Sequence, residues 1–259
     1  MTSSRTQKIG AIIAIAVVVA GVATAFVRRA VLQDRVRKAN PFEYPIQEYL
    51  KTDPALLAYR ELPGIVLPNA EAKGIAIRSD DTLYATVGSQ LLVFNPDGTS
   101  VRTLDVPASA GPLAVHRDGT IYLGSRDQIA VYSGDGTLLS EWTSLGEKAI
   151  ITSVSVGNAG VLVAEYASRT VWVFSPDGAL VRKIGARPGA DAYRFIVPSP
   201  YFDVAQDSRG IWVVNPGKQE VALFNPNGDK LSSWGKHAVS HAIDGFTGCC
   251  NPTHLGLLS

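Results

Sequence analysis

Cysteine is scarce in this sequence: there are two, and they are adjacent, so no disulfide framework staples the fold. A surplus of either charge is also missing, with 24 Lys+Arg against 23 Asp+Glu and a formal net charge of +1. That balance excludes the basic footprint of a nucleic-acid binder, and no nucleic-acid partner is expected. An acidic disordered chain is excluded as well, because 46% of the 259 residues are hydrophobic. Beyond residue 70 no amphipathic helix separates the apolar runs, which rules out a parallel α/β sheet. No nucleophile elbow, phosphate loop or H-E-x-x-H stretch occurs, and four histidines are few for a metal-centred enzyme.

What is present begins with an uncharged run from Ile9 to Val27, stopped by Arg28 and Arg29. As a helix it would span about 28 Å, enough for a bilayer core. We read residues 1–8 as a polar tail and 9–29 as a transmembrane helix or signal anchor. The competing reading is a signal peptide cleaved at Ala23-Thr24-Ala25, with a secreted product. The length of the run and the arginines that follow favour the uncleaved anchor. Basic residues after the run (Arg28, Arg29, Arg35, Arg37, Lys38) outnumber those before it (Arg5, Lys8), which on the positive-inside rule keeps the rest in the cytoplasm. A single anchor ahead of a large β domain instead serves export, and the expectation is an extracytoplasmic domain, periplasmic or on the cell surface. Residues 30–70 carry Pro41, Pro45, Pro54, Pro63 and Pro68, which forbid a long helix and suggest a stalk. Ile65-Val66-Leu67 is a candidate edge strand.

From residue 71 to 259 the sequence repeats. An apolar strand ending in an aromatic runs into a turn four times: Leu92-Val93-Phe94-Asn95-Pro96-Asp97-Gly98, Ala130-Val131-Tyr132-Ser133-Gly134-Asp135-Gly136, Trp172-Val173-Phe174-Ser175-Pro176-Asp177-Gly178 and Ala222-Leu223-Phe224-Asn225-Pro226-Asn227-Gly228. The Asp/Asn positions 97, 135, 177 and 227 are spaced by 38, 42 and 50 residues, a period of about 43 that suits four-stranded propeller blades. Asp-Gly and Asn-Gly supply the positive φ of a hairpin, and the aromatic is placed to bury its ring between sheets. Three further short strands per unit complete an all-β reading. Blades are expected at about 72–107, 108–146, 147–185 and 200–235, with a fifth starting at 251.

The order of strands and turns resembles the NHL-repeat β-propellers. The stretch Val163-Ala164-Glu165-Tyr166-Ala167-Ser168-Arg169-Thr170-Val171-Trp172-Val173-Phe174 carries the resemblance most fully, with Glu165 in the acidic position and Arg169 near the basic one; Asn251-Pro252-Thr253-His254-Leu255 is similar to the start of such a repeat. The resemblance implies a β-propeller of four-stranded antiparallel blades. The other units lack the acidic residue, which leaves open any function tied to it. At this period the chain holds four blades and one strand, which reads as a C-terminally truncated propeller of six blades; the alternative is four-blade closure using Ile65–Leu67.

Candidate site residues cluster in loops that share one face: those between second and third strands and those between blades. They are Arg126, Glu165, Arg169, Lys218, and, in the long connection Ala186–Pro200, Arg187, Tyr193 and Arg194. Phe195 and Phe246 are read as plugs between blades. The second long connection, Lys236–Pro252, carries His237, His241, Asp244 and the pair Cys249-Cys250 beside His254. Three chemistries are open for this cluster: a vicinal disulfide, metal binding by Cys249, Cys250 and His254, or inert thiols. For a channel metal enzyme the candidates are His116, Asp203 and His254. The resulting functional expectation is a membrane-tethered, non-catalytic binding or scaffold module for a protein partner or surface ligand, without a cofactor. Its alternatives are a metal-assisted propeller hydrolase or lyase and a redox role for the cysteines.

Overall fold

The computed structural model describes residues 17–31, 55, 63–68, 71–185, 193–235, 237–238, 246–247 and 252–257. The chain divides into two units, Met1–Pro63 and Gly64–Ser259. In the first, residues 17–31 are α-helical. This helix exposes Val17, Val18, Val19, Val22, Phe26 and Val27. Among the described residues no helix is long and apolar enough to cross a membrane; residues 9–16 of the expected span lie outside the described residues.

The second unit is a run of four antiparallel four-stranded sheets, each built from consecutive strands. The first holds β1 (Ala72–Ile77), β2 (Leu83–Val87), β3 (Gln90–Phe94) and β4 (Ser100–Asp105). The second holds β5 (Ala110–Val115), β6 (Ile121–Ser125), β7 (Gln128–Tyr132) and β8 (Leu138–Glu141). The third holds β9 (Ile151–Gly157), β10 (Gly160–Glu165), β11 (Thr170–Phe174) and β12 (Leu180–Ile184), and the fourth β13 (Val204–Asp207), β14 (Gly210–Asn215), β15 (Glu220–Phe224) and β16 (Lys230–Trp234). A short parallel pair, β17 (His237–Ala238) and β18 (Phe246–Thr247), follows. The inner strands β1, β5, β9 and β13 pack side by side in chain order, so the sheets are the blades of a propeller.

One local device builds every blade. The marker aromatic faces the first or second residue of the second strand: Leu83↔Phe94, Ile121↔Tyr132, Val161↔Phe174 and Ile211↔Phe224. At the aromatic itself the register to the fourth strand shifts, between Val93/Phe94, Val131/Tyr132, Val173/Phe174 and Leu223/Phe224. The cause is the turn glycine. Gly98, Gly136, Gly178 and Gly228 stand at φ 82, 93, 88 and 83°, and the first closes on Asn95 O at 2.9 Å. A left-handed residue here makes the hairpin a turn plus a one-residue bulge.

Blade packs on blade through apolar clusters. Tyr84, Leu91 and Val93 of the first meet Leu113 and Leu123 of the second; Tyr122 and Trp142 meet Val154 and Phe174; Leu162, Val171 and Val173 meet Phe202, Val204 and Phe224. Phe195 is 3% exposed among Tyr193, Phe202 and Phe224, so it does plug the gap between the third and fourth blades. Residues 65–67 form no strand. Ile65 and Leu67 instead lie on the open face of the first blade, against Ala85, Val87, Leu92 and Phe94, while Val66 points away.

Candidate functional site

The loop face is held together by backbone pairs between turns and connections. Ile151 N–H donates to Arg126 O at 2.6 Å, Leu145 N–H to Asp127 O at 2.9 Å, and Gly217 N–H to Ile196 O at 2.7 Å. The second-to-third-strand turns thus share a face with the blade connections, as expected. Each of these turns contains one residue with positive φ: Gly88 (60°), Arg126 (37°), Arg169 (56°) and Gln219 (52°). A non-glycine residue in this region carries backbone strain. Arg126 and Arg169 are both exposed, as are Arg194 and Lys218.

Glu165 is placed otherwise. It is 2% exposed. Its Oε1 accepts Ile150 N–H at 3.0 Å and Ala167 N–H at 2.6 Å, and its Oε2 accepts Ser168 N–H at 2.8 Å and the Ser168 hydroxyl. The carboxylate ties its own turn to the preceding connection. Asn215 stands at the matching register position of the fourth blade and does the same, its Oδ1 accepting Ile196 N–H at 2.8 Å.

Beside Asn215 lies a network absent from the sequence reading. The Tyr193 hydroxyl donates to Glu220 Oε1 at 2.6 Å and accepts from Asn215 Nδ2 at 2.7 Å. Lys230 Nζ reaches Glu220 Oε2 at 3.1 Å. Lys218 Nζ stands 4.3 Å over the Tyr193 ring, a cation–π contact. Burial, then the hydrogen bond to Glu220, pushes the Tyr193 hydroxyl pKa up. Burial pushes Glu220 up too, but the bonds from Tyr193, Lys230 and Ser233 outweigh it and hold the carboxyl below its ordinary value. Asn215 and Glu220 were legible only by aligning Asn215 with Glu165.

A concavity of about 760 Å³ lies where the inner strands meet. It is lined by β1, β5, β9 and β13, by Leu67, and by His254, Leu255 and Leu257. Asp203 is brought beside the last group: its Oδ2 accepts Leu255 N–H at 2.9 Å and stands 3.7 Å from His254 Nδ1. His116 is not part of this cavity lining. It pairs with Asp118 at 2.9 Å in the turn after β5. Among the described residues no three His, Cys, Asp or Glu side chains form a group that would hold a metal. Arg187, His241, Asp244, Cys249 and Cys250 lie outside the described residues, so the cysteine chemistries do as well.

No family model matches the chain, and no curated protein matches it in sequence. Solved structures do match. A streptogramin B lyase aligns at 14% identity with a TM-score of 0.51, over 65% of this chain and 55% of that one. A virginiamycin B lyase from Staphylococcus aureus aligns at 12% identity with a TM-score of 0.50, over 64% and 56%. A nidogen/laminin complex aligns at 14% identity with a TM-score of 0.49, over 65% and 65%. The chain spans a little over half the length of the two lyases. The likeness to the lyases shows the fold, a β-propeller.

Proposed function

We propose that the chain is a membrane-tethered, NHL-type propeller that binds a protein partner or surface ligand on its loop face without catalysis. The observation that carries this reading is the pair Arg126 and Arg169. Two long cationic side chains stand at the tips of successive blades, on backbone that glycine would hold without strain. Strain kept at an exposed position suits a recognition role, and Arg194 and Lys218 add charge to the same face. The tether reading is supported by the apolar side chains Val17 to Val27 that the helix at 17–31 exposes and by the uncharged run Ile9–Val27 that this helix overlaps. We propose that the propeller lies outside the cytoplasm.

The test is photo-crosslinking of the full chain in native membranes from a benzoylphenylalanine at Ser168. A discrete adduct that is lost in the R126E/R169E double variant is expected. An adduct indifferent to charge reversal counts against the reading. A second reading, a metal-assisted hydrolase or lyase at the channel, is favoured by one feature, the approach of Asp203 to His254 in the central cavity. Metal analysis of the purified chain separates the two: a stoichiometric ion lost in His254→Ala would support the enzyme.

A further inference from the structure

A chain of backbone hydrogen bonds sets one exposed isoleucine between two exposed arginines. Arg126 O accepts the N–H of Ile151 at 2.6 Å, Ile150 O accepts that of Tyr166 at 2.9 Å, and Tyr166 O accepts that of Arg169 at 3.1 Å. Glu165 Oε1 takes the N–H of Ile150 at 3.0 Å. Both backbone polar groups of Ile150 are therefore paired, yet the residue is 38% exposed. The fourth blade repeats the device. Ile196 donates its N–H to Asn215 Oδ1, its carbonyl accepts the N–H of Gly217 beside Lys218, and it is 46% exposed. An aliphatic side chain turned to water on a fixed backbone loses little freedom when a partner covers it. Arg126, Ile150, Tyr166 and Arg169 all lie within the unbroken described stretch 71–185.

Charge on this face is sorted between presented cations and withdrawn carboxylates. In the turns and connections of the second to fourth blades Arg126, Lys148, Arg169, Arg194 and Lys218 are exposed, and among the described residues there Glu147 is the exposed carboxylate. The others are turned inward. Glu165 is spent on backbone N–H groups, Asp127 is half-buried and accepts the Ser144 hydroxyl, and Asp203 accepts the N–H of Leu255. At the other ends of the strands, the turns before the fourth strands expose Asp97, Asp135 and Asp177. The basic surface is thus local to the loop face, in a chain whose net charge is +1.

We infer that the partner docks on this face through an acidic segment in which aliphatic or aromatic residues stand between carboxylates. The inference rests on the loop-face reading above and names the chemistry of the partner. Charge complementarity calls for the carboxylates, which a guanidinium fork such as that of Arg126 or Arg169 binds through two parallel hydrogen bonds. Ile150 and Ile196 call for the apolar residues, since a bare polyanion would leave these side chains nothing to bury against. Arginine beside tyrosine is the composition of protein interfaces, and Tyr166 stands between Ile150 and Arg169 in the hydrogen-bond chain.

The test uses the full chain and a fluorescein-labelled peptide of alternating glutamate and leucine, with polyglutamate and an alternating glutamine–leucine peptide as controls. Saturable binding of the first is expected, about tenfold tighter than that of either control and weakened by salt. R126E/R169E should weaken it about tenfold or more, and Ile150→Ser about fivefold. Arg117→Glu, a charge reversal at an exposed position in the turn after β5, should bind like the parent. Melting temperatures confirm that the variants fold, and the comparison of peptides on the parent chain depends on no variant. Equal binding of polyglutamate, or binding indifferent to Ile150→Ser, would overturn the inference in favour of a polyanion such as a lipid headgroup layer or a polysaccharide. Equal binding of the glutamine peptide, or none of the glutamate–leucine peptide, would overturn it outright. A charge-sensitive adduct at Ser168 without peptide binding would overturn this inference and leave the loop-face reading standing; loss of both would remove the two together.

Discussion

The hydroxyl of Tyr193 donates a hydrogen bond to Glu220 Oε1 at 2.6 Å. This bond pins the connection ahead of the fourth blade to the third strand of that blade, and it positions the base over which Lys218 extends. Removing the hydroxyl in Tyr193→Phe takes the short bond from both Asn215 Nδ2 and Glu220 Oε1 and leaves between them only their own 3.4 Å contact. A loss of about 1–2 kcal/mol is expected, read as a lower urea midpoint at neutral pH. An unchanged midpoint would show that water replaces the hydroxyl at no cost.

Glu165→Gln should destabilise by about 1–3 kcal/mol, because an amide keeps one acceptor oxygen and turns its NH2 toward backbone N–H donors. Equilibrium unfolding gives the value. The same variant should retain partner binding on the loop face, since the carboxylate is occupied by Ile150, Ala167 and Ser168.

Arg126→Gly and Arg169→Gly should leave stability within about 0.5 kcal/mol of the parent or raise it, the relief of positive-φ strain offsetting glycine's larger unfolded-state entropy. Crosslinking to the partner should nevertheless fall. A clear drop in melting temperature would show that these arginines are structural.

Gly178→Ala combines a backbone at φ 88° with a Cβ that would lie 2.6 Å from Trp142 Nε1. A loss of more than about 1 kcal/mol is expected, together with a shift in Trp142 fluorescence. Gly146→Ala is the comparison: its φ is 127° but nothing lies within 4 Å of a Cβ there, so the difference between the two isolates the contact with Trp142.

Acid should loosen the turns on the face opposite the loops. The Thr120 N–H, with His116, holds Asp118 down to about 2, and the Arg209 hydrogen bond does the same for Asp207. A depressed folded-state pKa means that the stabilisation is fully present above the unfolded carboxylate value of about 4 and is lost as pH falls through the folded value of about 2. Urea midpoints measured from pH 5 to pH 2 should therefore decline, and Asp118→Asn with Asp207→Asn should flatten that decline. An equally steep decline in the double variant would place the acid sensitivity elsewhere.

The blade itself was legible in the sequence because its determinants are local. Asp97-Gly98 and its three counterparts fix a hairpin within a few residues, alternation assigns the buried face, and Phe94, Tyr132, Phe174 and Phe224 mark the register. Phe195 could be read as a plug because an aromatic in a polar connection has few other uses. The site was less legible. Glu165 reads as a free acidic ligand until Ile150, from the preceding connection, is seen to donate to it. Nothing near Tyr193 in sequence announces Glu220 or Lys230, and nothing near Asp203 announces Leu255.

Sequence alone therefore determined the repeat, the strand order within each blade and the turn chemistry, since backbone geometry and hydrophobic period act over neighbouring residues. The tertiary structure decided which loop side chains are bound and which are presented, and which blade face is covered by Ile65 and Leu67. Those outcomes depend on pairs such as Ser153 with Val204 and Asp203 with Leu255, some fifty residues apart, that meet only after the blades have packed, when the order of the blades has put distant backbone within hydrogen-bond reach.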